Sequence, residues 1–125
     1  MRERLPAPGG ATYSDAVNVD VGGRRVIYLA GQTPRERDGS PVPVDLAGQT
    51  ERCFEQIEAL LARYDATLHD VVQITTYLTD LSRYSEFAAV RGRVFGDLPP
   101  ASAAVGVAEL LGGALVEIVA VAVVD

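Results

Sequence analysis

Leu115-Val116-Glu117-Ile118-Val119-Ala120-Val121-Ala122-Val123-Val124 is an apolar run, rich in β-branched residues, with one carboxylate inside it. Branched side chains crowd a helix and suit a pleated sheet. The run is apolar at both parities, so it reads as a strand buried on both faces. A bare charge is costly there. Glu117 is therefore expected to be paired, protonated or turned toward a polar cavity. Upstream, Pro99-Pro100-Ala101-Ser102-Ala103-Ala104-Val105-Gly106-Val107 is a second β-prone segment.

Working outward, the 125 residues suit a single domain, 1–125, with a real core. A hydrophobic share of 48% with 22% charged residues is that of an ordinary globular protein. No apolar stretch reaches the ~18 residues of a membrane span. Met1-Arg2-Glu3-Arg4-Leu5-Pro6 has no apolar signal-peptide core. The single cysteine, Cys53, excludes an intrachain disulfide, and a cytoplasmic location is expected.

The formal charge is −6 and the basic residues are scattered, which argues against a nucleic-acid partner. All 11 basic residues are arginine, so no lysine can form a Schiff base or act as a general base. His69 and Cys53 are too few to build a zinc site. No metal and no cofactor is expected.

Along the chain, residues 1–10 are rich in Pro and Gly and read as a flexible tail or loop. Ala11 to Val19 reads as a strand, Asp20-Val21-Gly22-Gly23 as a hairpin turn, and Arg24 to Ala30 as the return strand. After a polar loop, Asp45 is a candidate helix N-cap. From Leu46 to Tyr64, apolar residues recur at helical spacing. His69-Asp70 is a turn, and Val71 to Leu78 a strand. Leu81-Ser82 opens a second helix, stopped by Pro99-Pro100. Strands at roughly 101–109 and 114–124 follow.

The expected order is β-β-α-β-α-β-β: an α+β fold with one mixed sheet and two helices on one face. The C-terminal strand is apolar on both faces, and no third helix is available to cover the second one. A partner subunit would do so, which points to a homo-oligomer.

An ordered set of short motifs carries a resemblance. It comprises Tyr13-Ser14, Ala30-Gly31-Gln32-Thr33-Pro34, Asp45-Leu46 with Gln49-Thr50, Asp70-Val71-Val72 with Thr75-Thr76-Tyr77-Leu78-Thr79-Asp80, Pro100-Ala101, and Val116-Glu117-Ile118. Taken together, from about residue 11 to 124, they resemble the RidA (YjgF) family. The resemblance implies a fold like AroH-type chorismate mutase and a trimer with small-molecule sites in the clefts between subunits. It also implies hydrolysis of imines and enamines of the 2-aminoacrylate type to 2-keto acids and ammonia.

The family motif Pro-Ala-Arg-Ser places an arginine on the substrate carboxylate, a task that suits a bidentate guanidinium. Here Ser102 follows Pro100-Ala101, so that clamp is missing. Ala30 stands where a serine is common, Ala88 is matched to a helix asparagine, Ala104 to a cysteine and Val119 to a second glutamate. Tyr13, Gly31, the backbone around Ala103-Ala104-Val105, and Glu117 remain.

On this reading Glu117 is the catalytic acid or base. Without the resemblance, a structural acid paired with arginine across an interface is the better account of it. Ser102 is either a hydrogen-bonding group for a neutral ligand or simply a small strand residue. It lacks the surroundings of a serine nucleophile. Arg91 and Arg93 are candidates to replace the clamp from the second helix, against the plainer reading of a solvated helix face. Tyr13, Ala30, Gly31, Ala88, Arg91, Ser102 and Ala104 form the expected substrate-binding set. Cys53 falls on an apolar helix stripe and reads as core.

The expected activity is hydrolysis of, or proton transfer on, an imine or enamine intermediate in clefts of a homotrimer, outside ordinary 2-imino acid deamination. A binding trimer without catalysis is the alternative. An endoribonuclease, a label some family members carry, fits the acidic composition poorly.

Overall fold

The computed structural model describes residues 1–125. Its elements are β1 (Arg2–Pro6), β2 (Ser14–Val21), β3 (Arg24–Leu29), α1 (Leu46–Ala62), β4 (Val71–Leu78), α2 (Tyr84–Phe95), β5 (Ala101–Gly106) and β6 (Val116–Val124). Short 3-10 turns at Leu68–Asp70, Leu81–Arg83 and Leu111–Gly113 join them. The strands form one six-stranded sheet in the order β1-β2-β3-β6-β4-β5. β4 and β5 are parallel and every other pair is antiparallel.

The expected mixed sheet with two helices on one face is the architecture found. One correction concerns residues 1–10, expected to be a flexible tail. Arg2–Pro6 is instead an edge strand, registered from Arg2↔Val19 to Pro6↔Ser14. Its charges and its one proline, Pro6, hide the strand pattern, and they are also the residues that suit an edge.

The apolar C-terminal run lies in the middle of the sheet as β6, between β3 and β4. β3 and β4 both run antiparallel to it. They are thus parallel to each other, joined through α1 and split by the inserted strand. Val116, Ile118, Ala120 and Ala122 of β6 are buried. They share one hydrophobic cluster with Phe54, Ile57 and Leu61 of α1 and Phe87, Val90 and Phe95 of α2. Phe54 meets Phe95 edge to face, with ring centroids 5.4 Å apart, a favoured aromatic geometry. The alternate residues Glu117, Val119, Val121 and Val123 point to the other face, where they are half-buried. Val17, Val26 and Tyr28 adjoin them there through the ladder.

The β2–β3 turn uses Gly22 and Gly23, both at positive φ (58° and 86°), as a tight two-residue hairpin requires. Asp45 occupies the N-cap position of α1, but its side chain makes no capping hydrogen bond. No helix is long and apolar enough to cross a membrane.

Candidate active site

Beyond β3 the chain does not leave the sheet at once. Gln32 bridges to β6: its N–H donates to the Ile118 carbonyl (2.8 Å), and the Ile118 N–H donates to the Gln32 carbonyl (3.0 Å). This bridge lays Gly31 against Glu117. A Cβ added at Gly31 would stand 2.8 Å from Glu117 Oε1 and 3.0 Å from its Cδ. Gly31 is therefore required for close approach to the carboxylate.

A buried polar scaffold holds this bend. Gln32 is 1% exposed, and its Nε2 donates to the Ala30 carbonyl (3.0 Å). Its Oε1 accepts from Gln56 Nε2 and from Arg35 Nη2, both at 3.2 Å. Gln56 also donates to the Thr33 carbonyl (2.9 Å) and accepts from the Arg35 N–H (2.8 Å). Buried amides satisfied in this way fix the geometry around them.

Cys53 Sγ donates to the Gln32 carbonyl (3.2 Å). Burial first, then the negative charge of Glu117, pushes the Cys53 thiol up from 9.0 to about 12, with Arg35 acting in the opposite direction. The thiol is a packing group, as expected, since reactivity needs the thiolate.

Glu117 faces Tyr77 across the β6–β4 ladder, on the side of the sheet away from the helices. It forms no salt bridge within the chain. It opens instead on a cleft of about 350 Å³ lined by Tyr13, Ala30, Gly31, Thr33, Arg35, Leu111 and Glu117. Four of the expected site residues, Tyr13, Ala30, Gly31 and Glu117, are thus brought together. Tyr13 is well exposed at the rim.

The other four lie elsewhere in the chain. Ser102 and Ala104 of β5 register with Ile74 and Thr76 of β4, which point toward the helices. Arg91 comes across from α2. Its Nη1 donates to Ser102 Oγ (2.9 Å) and its Nη2 to the Tyr84 hydroxyl (2.7 Å). The guanidinium carbon also lies 5.5 Å from the Tyr84 ring centroid and 5.2 Å from that of Phe87, within cation–π reach. Ala88, one turn earlier, has no polar group to offer. So the helix residue that reaches Ser102 is Arg91. Arg93 pairs with Glu51 of α1 (2.6 Å) and points away from β5. A single chain therefore separates the expected residues into two groups, one around Glu117 and one around Ser102.

Arg35 also lines the Glu117 cleft and is not marked out by the sequence. It sits in the stretch Thr33-Pro34-Arg35-Glu36-Arg37-Asp38-Gly39, which reads as an undifferentiated polar loop. Nothing in its own neighbourhood of sequence marks it out. Only the Gln32–Ile118 bridge brings it to the mouth of the Glu117 cleft.

Comparison with known proteins identifies the family. The family model described as Endoribonuclease L-PSP matches residues 4–124. A RutC family protein of Pyrococcus abyssi is 38% identical over 121 residues, which cover 96% of this chain and 91% of that protein. The crystal structure of Rv2704 from Mycobacterium tuberculosis, described as a member of the YjgF/YER057c/UK114 family, superposes with a TM-score of 0.80. It is 34% identical and covers 98% of each chain. The crystal structure of RidA from the Antarctic bacterium Psychrobacter sp. PAMC 21119 is also 34% identical, with a TM-score of 0.80, covering 95% of this chain and 93% of that one. With residues 4–124 matched by the family model and the whole fold shared with these structures, the protein belongs to the YjgF/RidA (Endoribonuclease L-PSP) family.

Proposed function

We propose that this chain is a small-molecule enzyme that hydrolyses, or moves a proton on, an imine or enamine intermediate in clefts between copies of itself. The observation that carries the reading is Glu117, a carboxylate without an ion-pair partner that faces a cleft over a glycine whose missing side chain makes room for it. A general base must reach a water or substrate proton, and this carboxylate is free to do so. For an imine, Glu117 would take a proton from water as the oxygen bonds to the imine carbon. Returning that proton to nitrogen would give the carbinolamine, and passing the hydroxyl proton through Glu117 to the nitrogen would let the C–N bond break, leaving a carbonyl compound and ammonia. For an enamine, protonation at carbon would come first and give the imine.

The group around Ser102 fits the same reading if copies pack through the sheet's open face. Val17, Val26, Tyr28, Val119, Val121 and Val123 give that face an apolar surface of the kind that subunit interfaces cover. We take the assembly to be a homotrimer working without metal or cofactor, in the cytoplasm. Light scattering on the purified protein checks the mass: a monomer would remove the intersubunit cleft.

Ammonia release from imines generated in place by an amino acid oxidase tests the chemistry. Glu117→Gln should lower the enzymatic rate by roughly 10²–10⁴-fold while leaving the assembly intact. Full activity in that variant removes Glu117 from the chemistry. A trimer that binds small molecules without turnover is the second reading. It is favoured by the apolar Ala30 and Ala104 and by a Ser102 already occupied by Arg91. Saturable binding with no product in the mass spectrum would establish it. An RNA substrate is disfavoured by the charge of −6.

A further inference from the structure

We propose that the loop after β3 and the last turns of α1 form a second binding site, separate from the Glu117 cleft, that takes the phosphate group of a small phosphorylated molecule. The site does not depend on the chemistry assigned to Glu117.

Gln56, Ala59, Leu60 and Arg63 recur at i, i+3, i+4 and i+7, so they share one face at the end of α1. Arg35, Glu36 and Arg37 stand opposite, and the two walls bound a cavity of about 350 Å³, a volume that suits a small ligand. The loop wall is pinned in place. The Arg35 N–H donates to Gln56 Oε1 (2.8 Å), and Arg52 Nη1 donates to the Arg35 carbonyl. Arg37 and Ser40 exchange backbone hydrogen bonds of 3.2 and 2.8 Å. Arg35 Nη2 and Gln56 Nε2 both donate to Gln32 Oε1, each at 3.2 Å. This holds the guanidinium beside Gln56, which lines the second cavity and not the Glu117 cleft.

Three arginines and one glutamate line this cavity, in a chain whose formal charge is −6. Arg35 and Arg63 form no salt bridge, Glu36 pairs with none of the three, and Arg37 is held by Glu55 at 3.2 Å. The C-terminus of α1 adds a partial negative charge of about half a unit beside Arg63, too little to offset the guanidiniums. Elsewhere around the same helix, Glu51, Glu55 and Glu58 line the neighbouring groove, so the positive charge is concentrated on one side. Like charges gathered on one cavity repel unless an anion joins them. One bidentate guanidinium satisfies a carboxylate, whereas a phosphate monoester carries about two negative charges and accepts from several donors at once. Ala59 and the half-buried Leu60 give the helix wall an apolar stretch for the carbon body of the ligand.

Phenyl phosphate, inorganic phosphate and phenol, titrated into the purified protein and followed by calorimetry and amide NMR, test this. The wild type should bind phenyl phosphate saturably at millimolar concentration or below and should not bind phenol. Shift changes should centre on Ala59, Leu60 and Arg63. Arg63→Gln, which leaves the Gln32 scaffold untouched, should weaken phenyl phosphate by roughly tenfold or more, as expected when charged hydrogen bonds are lost. Arg35→Gln should do the same. Arg24→Gln, taken from the exposed pair with Asp125, should leave binding unchanged and so separates the site from net charge. Equal affinity for inorganic phosphate and phenyl phosphate overturns the phosphorylated molecule as occupant and leaves only the free ion. Absence of saturable binding overturns the site itself. So does binding that is unchanged in both Arg63→Gln and Arg35→Gln, or shift changes centred on Gly31 and Glu117.

Discussion

The two faces of β6 do different work with alternate residues of one strand. Val116, Ile118, Ala120 and Ala122 disappear beneath the helices. Glu117, Val119, Val121 and Val123 look the other way, onto a surface this chain does not cover by itself. The helix side is closed and resembles a small-protein core. The open side holds the only acidic residue of the strand, seated where a glycine lets it approach. The core residues and Glu117 are thereby separated by a single residue step, since a period of two sends neighbours to opposite faces. Changes on one face should leave the property of the other largely intact.

The sharpest way to break that division is from the closed side. Phe54→Ala removes a 2%-exposed ring from its edge-to-face contact with Phe95. It should cost about 3–5 kcal/mol of stability, read from denaturant unfolding at fixed protein concentration. A loss below about 1 kcal/mol would mean that the helix layer is not the stabilising face.

From the open side, Gly31→Ala should do the opposite. The added methyl meets the far end of the Glu117 side chain rather than backbone, so the carboxylate swings away and the fold tolerates it. Turnover should fall by roughly 10²-fold, a typical result of misplacing a reacting group by about an ångström. The melting temperature should stay close to that of the wild type. A large loss of stability would show that Gly31 serves packing rather than chemistry.

The effect that is smallest at neutral pH concerns Cys53, buried on α1. Its thiol is raised from 9.0 to about 12 in the folded protein, chiefly by burial. The folded state therefore keeps a proton that the unfolded state loses. Its contribution is fully present below 9.0 and is lost as pH rises through about 12. The slope should approach, at most, about 1.4 kcal/mol per pH unit. Comparing alkaline unfolding of the wild type with that of Cys53→Ala isolates it. Parallel pH profiles for the two proteins would contradict the burial-driven shift.

The elements with strong internal periodicity were legible from sequence. Val71–Leu78 has the bounds expected of it, and α1 begins at the expected Leu46. The doubly apolar run marked β6, and its central position accounts for that pattern. Strand β1 was not legible, because an edge strand built from Arg2, Glu3, Arg4 and Pro6 has no alternation to detect. At the candidate site, Glu117 and Gly31 stand out separately in the sequence, but their contact depends on the Gln32–Ile118 bridge, which joins distant parts of the chain. Arg35 was invisible for the same reason. The orientation of Arg91 depends on how α2 lies over β5, and helical spacing alone does not determine that.

The position of β6 also bears on how the chain is made. The strand at the centre of the sheet is the last in chain order, inserted between β3 and β4, which do not pair with each other. Until it emerges from the ribosome, the β1–β2–β3 ribbon and the β4–β5 pair have no ladder between them. The nascent chain would hold helix faces without a finished sheet to rest on. Folding therefore waits for the C-terminal segment, and its long-range contacts make closure comparatively slow. A ribosome stalled before Val116 would present an unclosed, apolar intermediate, the kind of chain that chaperones bind.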